Sequence, residues 1–260
     1  MVRRSLAVLL LLGIFAVGSL SSTRPSWAET LVQQNVDTRV VLAFRVGHAG
    51  LERWLHAPWQ VDPVATGPSK GANLTVSFID RLLNQDGEGK VAAEPATRLV
   101  ALVVPVKHGQ TGETALFDIR EYNAGPQGVP GPYKTGVSAT IRREATLQGA
   151  DLAPGAGSEM WEVKESGGGL IEFRVEYQRG IPSRTKPEVK LHSAVYPSFF
   201  RIYRPDVGTD MVKSTPAGID RVRSYQFRVT VPELRPLFDG TEQLVSIVVL
   251  PWYVRQVFLP

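Results

Sequence analysis

TALFDIREYNAGPQGVPGPYKTGVSATI, residues 114–141, contains two predicted strands separated by a loop rich in glycine and proline. Polar and apolar residues alternate through much of both flanking segments, TALFDIREY and VSATIRRE. Such a period of two, with β-branched and aromatic residues, is typical of half-buried strands. The ten-residue loop NAGPQGVPGP is too short and too similar in composition to its surroundings to be a domain linker.

The same alternation extends over most of the chain and predicts a mainly β fold. The two segments 99–106 and 244–254 are apolar on both faces, so we expect them centrally in the sheet. Helices are few: residues 49–56 predict one short helix, and residues 232–238 a helical turn. These segments favour one curved, mainly antiparallel sheet that closes into a barrel. The further predicted strands are residues 39–46, 73–79, 170–177, 198–204 and 224–231.

The first 28 residues have the composition of a secretory signal. Arg3 and Arg4 precede an apolar run at residues 6–20, and Ser26 and Ala28 are small residues suited to a cleavage site. The apolar run is shorter than the ~20 residues that a membrane-spanning helix needs. We therefore predict cleavage after Ala28, a single domain at residues 29–260, and a periplasmic or secreted location.

Charge and cysteine content exclude several classes of protein. The whole chain has 29 basic and 25 acidic residues, and three of the arginines belong to the predicted signal. The remaining 26 basic residues give a net charge of +1, which does not predict binding to nucleic acid or to an anionic membrane. The chain has no cysteine, which excludes disulfides and thiol chemistry. Its four histidines show no metal-ligand spacing, so we predict neither a metal nor a cofactor.

Short sequence motifs indicate which binding and catalytic functions the chain lacks and which remain open. GPYKTG at residues 131–136 is not a phosphate-binding loop, because its spacing is wrong and a strand, not a helix, is predicted to follow. No G-x-S-x-G motif of a serine hydrolase occurs after the signal. Acidic residues on the strands, among them Asp118 and Glu121, are expected on the solvent side. Lys107, Lys134 and Lys164 are possible amine nucleophiles if buried, and otherwise are lysines that reach water.

Five segments of the chain resemble the acetoacetate decarboxylase family. They are an opening strand, helix and proline-marked turn (VVLAFRVGHAGLERWLHAPWQVDP), GANLTVSFID, the stretch quoted above with its Gly-Pro-Tyr, GLIEFRVEYQRG, and FFRIYRPDVG with the segment 224–250. The resemblance covers most of residues 40–250. It implies a cone-like β-barrel around a small-molecule cavity, often in an oligomer.

Two departures from the family concern its chemistry. In the decarboxylases a lysine in a Pro-Lys-Lys run forms a Schiff base with a β-keto acid, and the corresponding stretch here, residues 140–152, contains Arg142 and Arg143 but no lysine. Arginine remains protonated and cannot act as that nucleophile. The glutamate that often follows the family's Gly-Pro-Tyr after one residue is replaced by Thr135.

We therefore predict an exported protein with this fold that binds a small organic ligand, bearing a carboxylate or carbonyl group, in the barrel. Tyr133, Arg142 and Lys107 are the predicted ligand-binding residues. One alternative is an active lyase or other Schiff-base enzyme that uses a non-equivalent lysine. Another is a structural or partner-binding β protein of the envelope with a filled barrel. The predicted partners are the ligand and a second copy of the chain, with no nucleic acid and no membrane span after cleavage.

Overall fold

The computed structural model describes residues 28–150 and 154–260, so the predicted signal lies outside the described residues except for Ala28. Fourteen strands and one short α-helix alternate with loops and two 3₁₀ helices, at Pro126–Gly128 and Pro232–Leu234. In chain order the elements are β1 (Thr30–Arg45), α1 (His48–Glu52), β2 (Trp59–Val61), β3 (Leu74–Asp86), β4 (Thr97–His108), β5 (Thr114–Asn123), β6 (Gly136–Gln148), β7 (Ala156–Glu165), β8 (Leu170–Gln178), β9 (Ser183–Thr185), β10 (Val189–Ser193), β11 (Phe200–Ser214), β12 (Ile219–Asp220), β13 (Val222–Val229) and β14 (Gln243–Leu259).

Seven of these strands close into a barrel. Their order is β5–β10–β11–β14–β1–β3–β4, and β4 pairs again with β5. All neighbours are antiparallel except β5 and β10, which run parallel. Closure pairs the backbone groups that would otherwise form sheet edges, which matters in a chain without disulfides. The predicted mainly antiparallel barrel is confirmed.

A second sheet, formed by β6, β7, β8 and β13, covers one side of the barrel. It joins the barrel through a short parallel pairing of β6 with β5. The main apolar core lies between this outer sheet and the outer face of the barrel wall. At its centre the ring of Phe78 lies 5.1 Å from that of Phe173 and 5.5 Å from that of Trp161. All three side chains are fully buried, and burial of each large side chain contributes about 1.5–3 kcal/mol.

The predicted helices are shorter than expected. The first covers His48–Glu52 instead of residues 49–56, because the chain turns at residues 53–54 and again before Trp59. The second segment forms only the 3₁₀ helix Pro232–Leu234. No helix in the described part of the chain has both the length and the apolar character needed to cross a membrane.

Candidate functional site

A cavity of about 320 Å³ opens inside the barrel wall. It is of a size that suits a small organic molecule. Its wall is largely polar and includes three arginines, three acids, several amides and two tyrosines. The lining side chains include Gln33, Arg81, Asn84, Leu99, Glu121, Asn123, Tyr133, Arg201, Tyr203 and Arg255.

A hydrogen-bonded series of amide side chains holds two of the cavity arginines in place. Arg255 Nε donates to Asn35 Oδ1 at 3.0 Å, and Arg201 Nη1 donates to Gln33 Oε1 at 3.2 Å. The two amides meet at Asn84 Oδ1, which accepts from Asn35 Nδ2 at 2.8 Å and from Gln33 Nε2 at 2.6 Å. Because amides are neutral, they orient both guanidinium groups without cancelling their charge. Among the described residues, neither arginine forms an ion pair.

The third arginine belongs to a buried ionic cluster next to the cavity. Asp37 is fully buried, pairs with Arg39 at 2.5 Å, and lies 3.5 Å from Arg81 Nε. Burial alone would raise the pKa of Asp37, but Arg39, Arg255 and Arg81 outweigh that effect and hold the pKa below its ordinary value. Burial lowers the pKa of Arg81, and the nearby positive charge of Arg255 adds to this effect. Asp37 and Glu121 both lie close enough to offset part of the positive charge of these arginines.

Two carboxyl groups of β5 face the same side because the strand contains a β-bulge. Leu102 pairs with Arg120 and Val103 with Asp118, so Ile119 is an extra residue in β5. Without the bulge, a period of two would place Asp118 and Glu121 on opposite faces. With it, both share the face of the cavity-lining Leu99, while Ile119 packs into the apolar core.

The deeper of these carboxyl groups is held by Thr135, the second residue after the Gly-Pro-Tyr motif. Thr135 Oγ1 donates to Asp118 Oδ1 at 2.5 Å, and Asp118 Oδ2 is buried with no hydrogen-bond partner in the described part of the chain. Burial raises the pKa of Asp118 well above its ordinary value, and the charge of Glu121 raises it further. Burial also raises the pKa of Glu121, although Arg81 opposes this shift. Asp118 therefore holds a proton more strongly than Glu121 does.

The GPYKTG stretch forms a tight turn that directs one aromatic side chain inward. Lys134 N donates to Gly131 O, and both residues have positive φ, 61° and 68°. Tyr133 is buried and its hydroxyl oxygen lies 2.5 Å from that of Tyr203, whereas Lys134 is exposed. A Cβ atom on Gly136 would lie 2.0 Å from the Gly128 carbonyl oxygen, so the turn requires glycine there. As predicted, a strand and not a helix follows the turn.

The structure does not bring the three predicted ligand residues together. Tyr133 lines the cavity. The Arg142 side chain is 65% exposed on the outer sheet and pairs with Glu144, because the β6 alternation turns it to solvent. Lys107 is exposed near the end of β4, opposite Gln60. Arg142 and Lys107 therefore lie outside the cavity.

All eight lysines of the chain lie within the described residues, and none of them lines the cavity. Seven are exposed, among them Lys107, Lys134 and Lys164. The half-buried eighth, Lys213, forms an ion pair with Asp220 at 2.6 Å. The amine nucleophile of a Schiff-base enzyme instead lies in a buried or strongly electropositive site that lowers its pKa.

Sequence reasoning missed most of the residues that line the cavity. Arg81, Arg201 and Arg255 lie on three different strands, and each has at least one apolar neighbour in sequence, a pattern that also describes solvent-facing residues. The expectation that Asp118 and Glu121 face solvent is wrong, because the bulge in β5 turns both inward. No local signal in the sequence marks that bulge.

Comparison with known proteins identifies the fold through structure alone. No protein-family model and no curated protein matches the sequence. The enduracididine biosynthesis enzyme MppR complexed with pyruvate aligns with a TM-score of 0.57 and 11% identity, over 90% of this chain and 91% of that chain. An acetoacetate decarboxylase-like enzyme from Sphingomonas wittichii RW1 gives a TM-score of 0.56 and 10% identity, over 88% and 90%.

Acetoacetate decarboxylase from Legionella pneumophila aligns over 98% of this chain and 96% of that chain. Its TM-score is 0.53 and its identity 12%. All three alignments extend over most of both chains, which confirms the resemblance in fold. At such low identity the likeness concerns the fold, so function has to be argued from the cavity of this chain.

Proposed function

Because the chain has the acetoacetate decarboxylase-like fold and a cavity inside it with two arginines that form no ion pair among the described residues, we propose that it is an exported protein that binds a small organic carboxylate. The observation that carries this proposal is the pair Arg201 and Arg255. Both line the cavity, both are held by neutral amides, and neither has a carboxylate partner among the described residues. Arginine pairs well with carboxylates because its planar guanidinium can donate two parallel hydrogen bonds.

The surroundings of the arginines favour a ligand that also has a carbonyl group. The hydroxyl groups of Tyr133 and Tyr203 lie in the same cavity and can donate a hydrogen bond to such an oxygen. Two of the three acids on the wall have hydrogen-bond partners other than the arginines. Asp86 accepts from the backbone N–H groups of Glu88 and Lys90, and Glu94 accepts from that of Gln127.

The positions of the lysines favour binding without a Schiff base. A lyase with a non-equivalent lysine would need an amine within reach of the cavity, and the lining contains none. The envelope-protein alternative predicts a barrel filled by side chains, whereas a volume of about 320 Å³ is open here. A binding role in the cavity therefore accounts best for the arrangement.

Calorimetric titration of the chain without its predicted signal tests the proposal. We expect pyruvate and acetoacetate to bind and acetone, which lacks the carboxylate, to bind at least about tenfold more weakly, since a charge-assisted hydrogen bond contributes about 1.5–3 kcal/mol. Arg201→Gln and Arg255→Gln should each weaken binding by a similar factor. The matched control Arg142→Gln should bind as the unaltered chain does. Equal binding of acetone, or full binding by both cavity variants, contradicts the proposal.

A second experiment separates binding from the lyase alternative. The protein is incubated with acetoacetate and borohydride, and carbon dioxide release is measured in parallel. We expect no covalent adduct and no release above the protein-free rate. A mass increase located on one lysine would instead support the Schiff-base enzyme.

The proposed export is tested on the full chain. Expressed in a bacterium with a general secretion pathway, the protein should be found outside the cytoplasm with Glu29 as its first residue. Peptide mass analysis of the N-terminus checks this. A cytoplasmic protein that retains residues 1–28 contradicts export.

A further inference from the structure

The cavity also contains the groups needed to move a proton, all on its wall. Glu121 from β5, Tyr133 from the GPYKTG turn and Tyr203 from β11 line the same space as the two arginines. A carboxylate bound to Arg201 or Arg255 would place the rest of a small ligand within this cavity. The functional groups of the wall are thus an anion anchor, a carboxylate base and phenolic donors.

The carboxyl pair on β5 divides naturally into two roles. Asp118 is fully buried and accepts a hydrogen bond from Thr135. It is not part of the cavity wall, whereas Glu121 is. Their shared burial raises the pKa of both groups, which makes the Glu121 carboxylate a stronger base than a solvent-exposed one. Asp118 acts through Glu121 and is a positioning residue.

The two tyrosines can stabilise an oxygen that gains negative charge. Their hydroxyl oxygens lie 2.5 Å apart, so one hydroxyl proton lies between them and the other is left for a ligand. Burial raises the pKa of both phenols, which keeps them protonated as donors. The guanidinium carbon of Arg255 lies 4.5 Å from the Tyr203 ring centroid and places a positive charge beside the pair. Donors fixed in a buried site stabilise a developing oxyanion strongly.

We infer that this cavity catalyses proton exchange at the carbon next to the carbonyl group of a bound 2-keto acid, without a lysine imine. Glu121 removes the proton, the C–H electron pair forms a C=C bond, and the carbonyl π pair moves to the oxygen. That enolate oxygen accepts a hydrogen bond from the Tyr133–Tyr203 pair. The Glu121 carboxyl group exchanges its proton with solvent water, and return of a proton from Glu121 to the same carbon restores the keto acid, so no oxidant or co-reactant is consumed. The inference rests on the proposed function.

Exchange in heavy water tests this step directly. The methyl signal of pyruvate is followed by proton NMR at neutral pH, with and without protein, and loss of signal reports deuterium incorporation. We expect the protein to accelerate exchange above the protein-free rate. Glu121→Gln should slow the protein-catalysed rate by at least about 100-fold and Tyr133→Phe by at least about tenfold, in line with losses of a general base and an oxyanion donor. Arg142→Gln serves as the unaffected control.

The positioning role of Asp118 has its own readout. Asp118→Asn keeps an oxygen for Thr135 and imitates the neutral acid, so exchange should persist, with a changed pH profile. Loss of exchange in Asp118→Asn with full activity in Glu121→Gln would assign the base to Asp118 and overturn the inference as stated. A mass increase on one lysine after treatment with pyruvate and borohydride, with exchange of fresh pyruvate lost once the reagents are removed, would show a lysine imine and also overturn it.

These experiments distinguish a failure of the exchange reaction from a failure of ligand binding. If calorimetry shows that pyruvate binds but the protein does not accelerate exchange, the inference is overturned and the proposed function stands. If pyruvate, acetoacetate and 2-oxobutyrate all fail to bind and to exchange, both are overturned. Exchange that persists in Glu121→Gln and Tyr133→Phe together, with normal folding by circular dichroism, also overturns the inference.

Discussion

The two faces of the barrel wall differ in chemistry although both are largely shielded from water. The outer face packs Phe78 against Trp161 and Phe173 of the second sheet. The inner side holds Asp37 and a hydrogen-bonded series of amides and arginines. Alternate residues of the same strands supply both faces. The apolar face supplies most of the stabilisation, so the inner face is free to hold charges that cost stability.

The largest expected effect is on the outer face. Trp161→Ala removes a fully buried side chain from the centre of the core and should lower the free energy of unfolding by about 3–5 kcal/mol. Chemical denaturation measures this change. The control Tyr225→Ala, at a side chain 48% exposed on the same sheet, should change it by no more than about 0.5 kcal/mol. Equal losses in both variants would contradict the assignment of the core to this interface.

On the inner side of the barrel wall, removal of a buried charge should lower the free energy of unfolding. Asp37→Ala leaves Arg39 and Arg81 buried without their counter-charge, and we expect a loss of about 3 kcal/mol. Arg142→Ala breaks an exposed ion pair with Glu144 and should cost about 0–1 kcal/mol. Urea unfolding of the two variants compares a buried with an exposed ion pair. A loss below 1 kcal/mol for Asp37→Ala would show that the buried charges are compensated in another way.

The third effect depends on pH and, within a single pH unit, is the smallest of the three. Because the raised pKa of Asp118 makes the folded chain hold a proton that the unfolded chain releases, its contribution to stability is complete below the unfolded pKa of about 4 and is lost as pH rises through the folded pKa. Asp118→Asn cannot ionise. Its stability relative to the unaltered chain should therefore increase with pH above about 4, by at most about 1.4 kcal/mol per pH unit.

Urea unfolding between pH 4 and pH 8 measures this difference. The exposed, non-titrating control Leu82→Ala should give a difference that does not change with pH. A difference for Asp118→Asn that is constant over this range would show that Asp118 does not hold a proton in the folded chain.

The sequence predicts the strands well where one face is apolar and the other polar. It fails where the buried face is itself polar. The prediction for β1 covers residues 39–46, but the strand begins at Thr30, because the inward-facing Asn35 and Asp37 resemble solvent-exposed residues. Strand β7 was not predicted, since the buried Glu159 interrupts its apolar alternation.

The candidate site is less predictable than the fold for the same physical reason. Tyr133 was identified because a compact Gly-Pro-Tyr motif marks its turn. Arg81, Arg201 and Arg255 come together only when the barrel closes, and closure depends on pairings between residues far apart in sequence. The β5 bulge depends on how β4 and β5 align, which no single segment specifies.

Strand β5 contributes side chains to both faces of the barrel wall. It carries Asp118 and Glu121 toward the cavity and Phe117 and Tyr122 into the core, and its pairing with β6 ties the outer sheet to the barrel. The spacing of the two carboxyl groups is therefore fixed by side chains that never meet a ligand. Core substitutions that shift β5 would therefore change the pKa values of the two carboxyl groups. The packing of the core thus limits which reactions can evolve in the cavity.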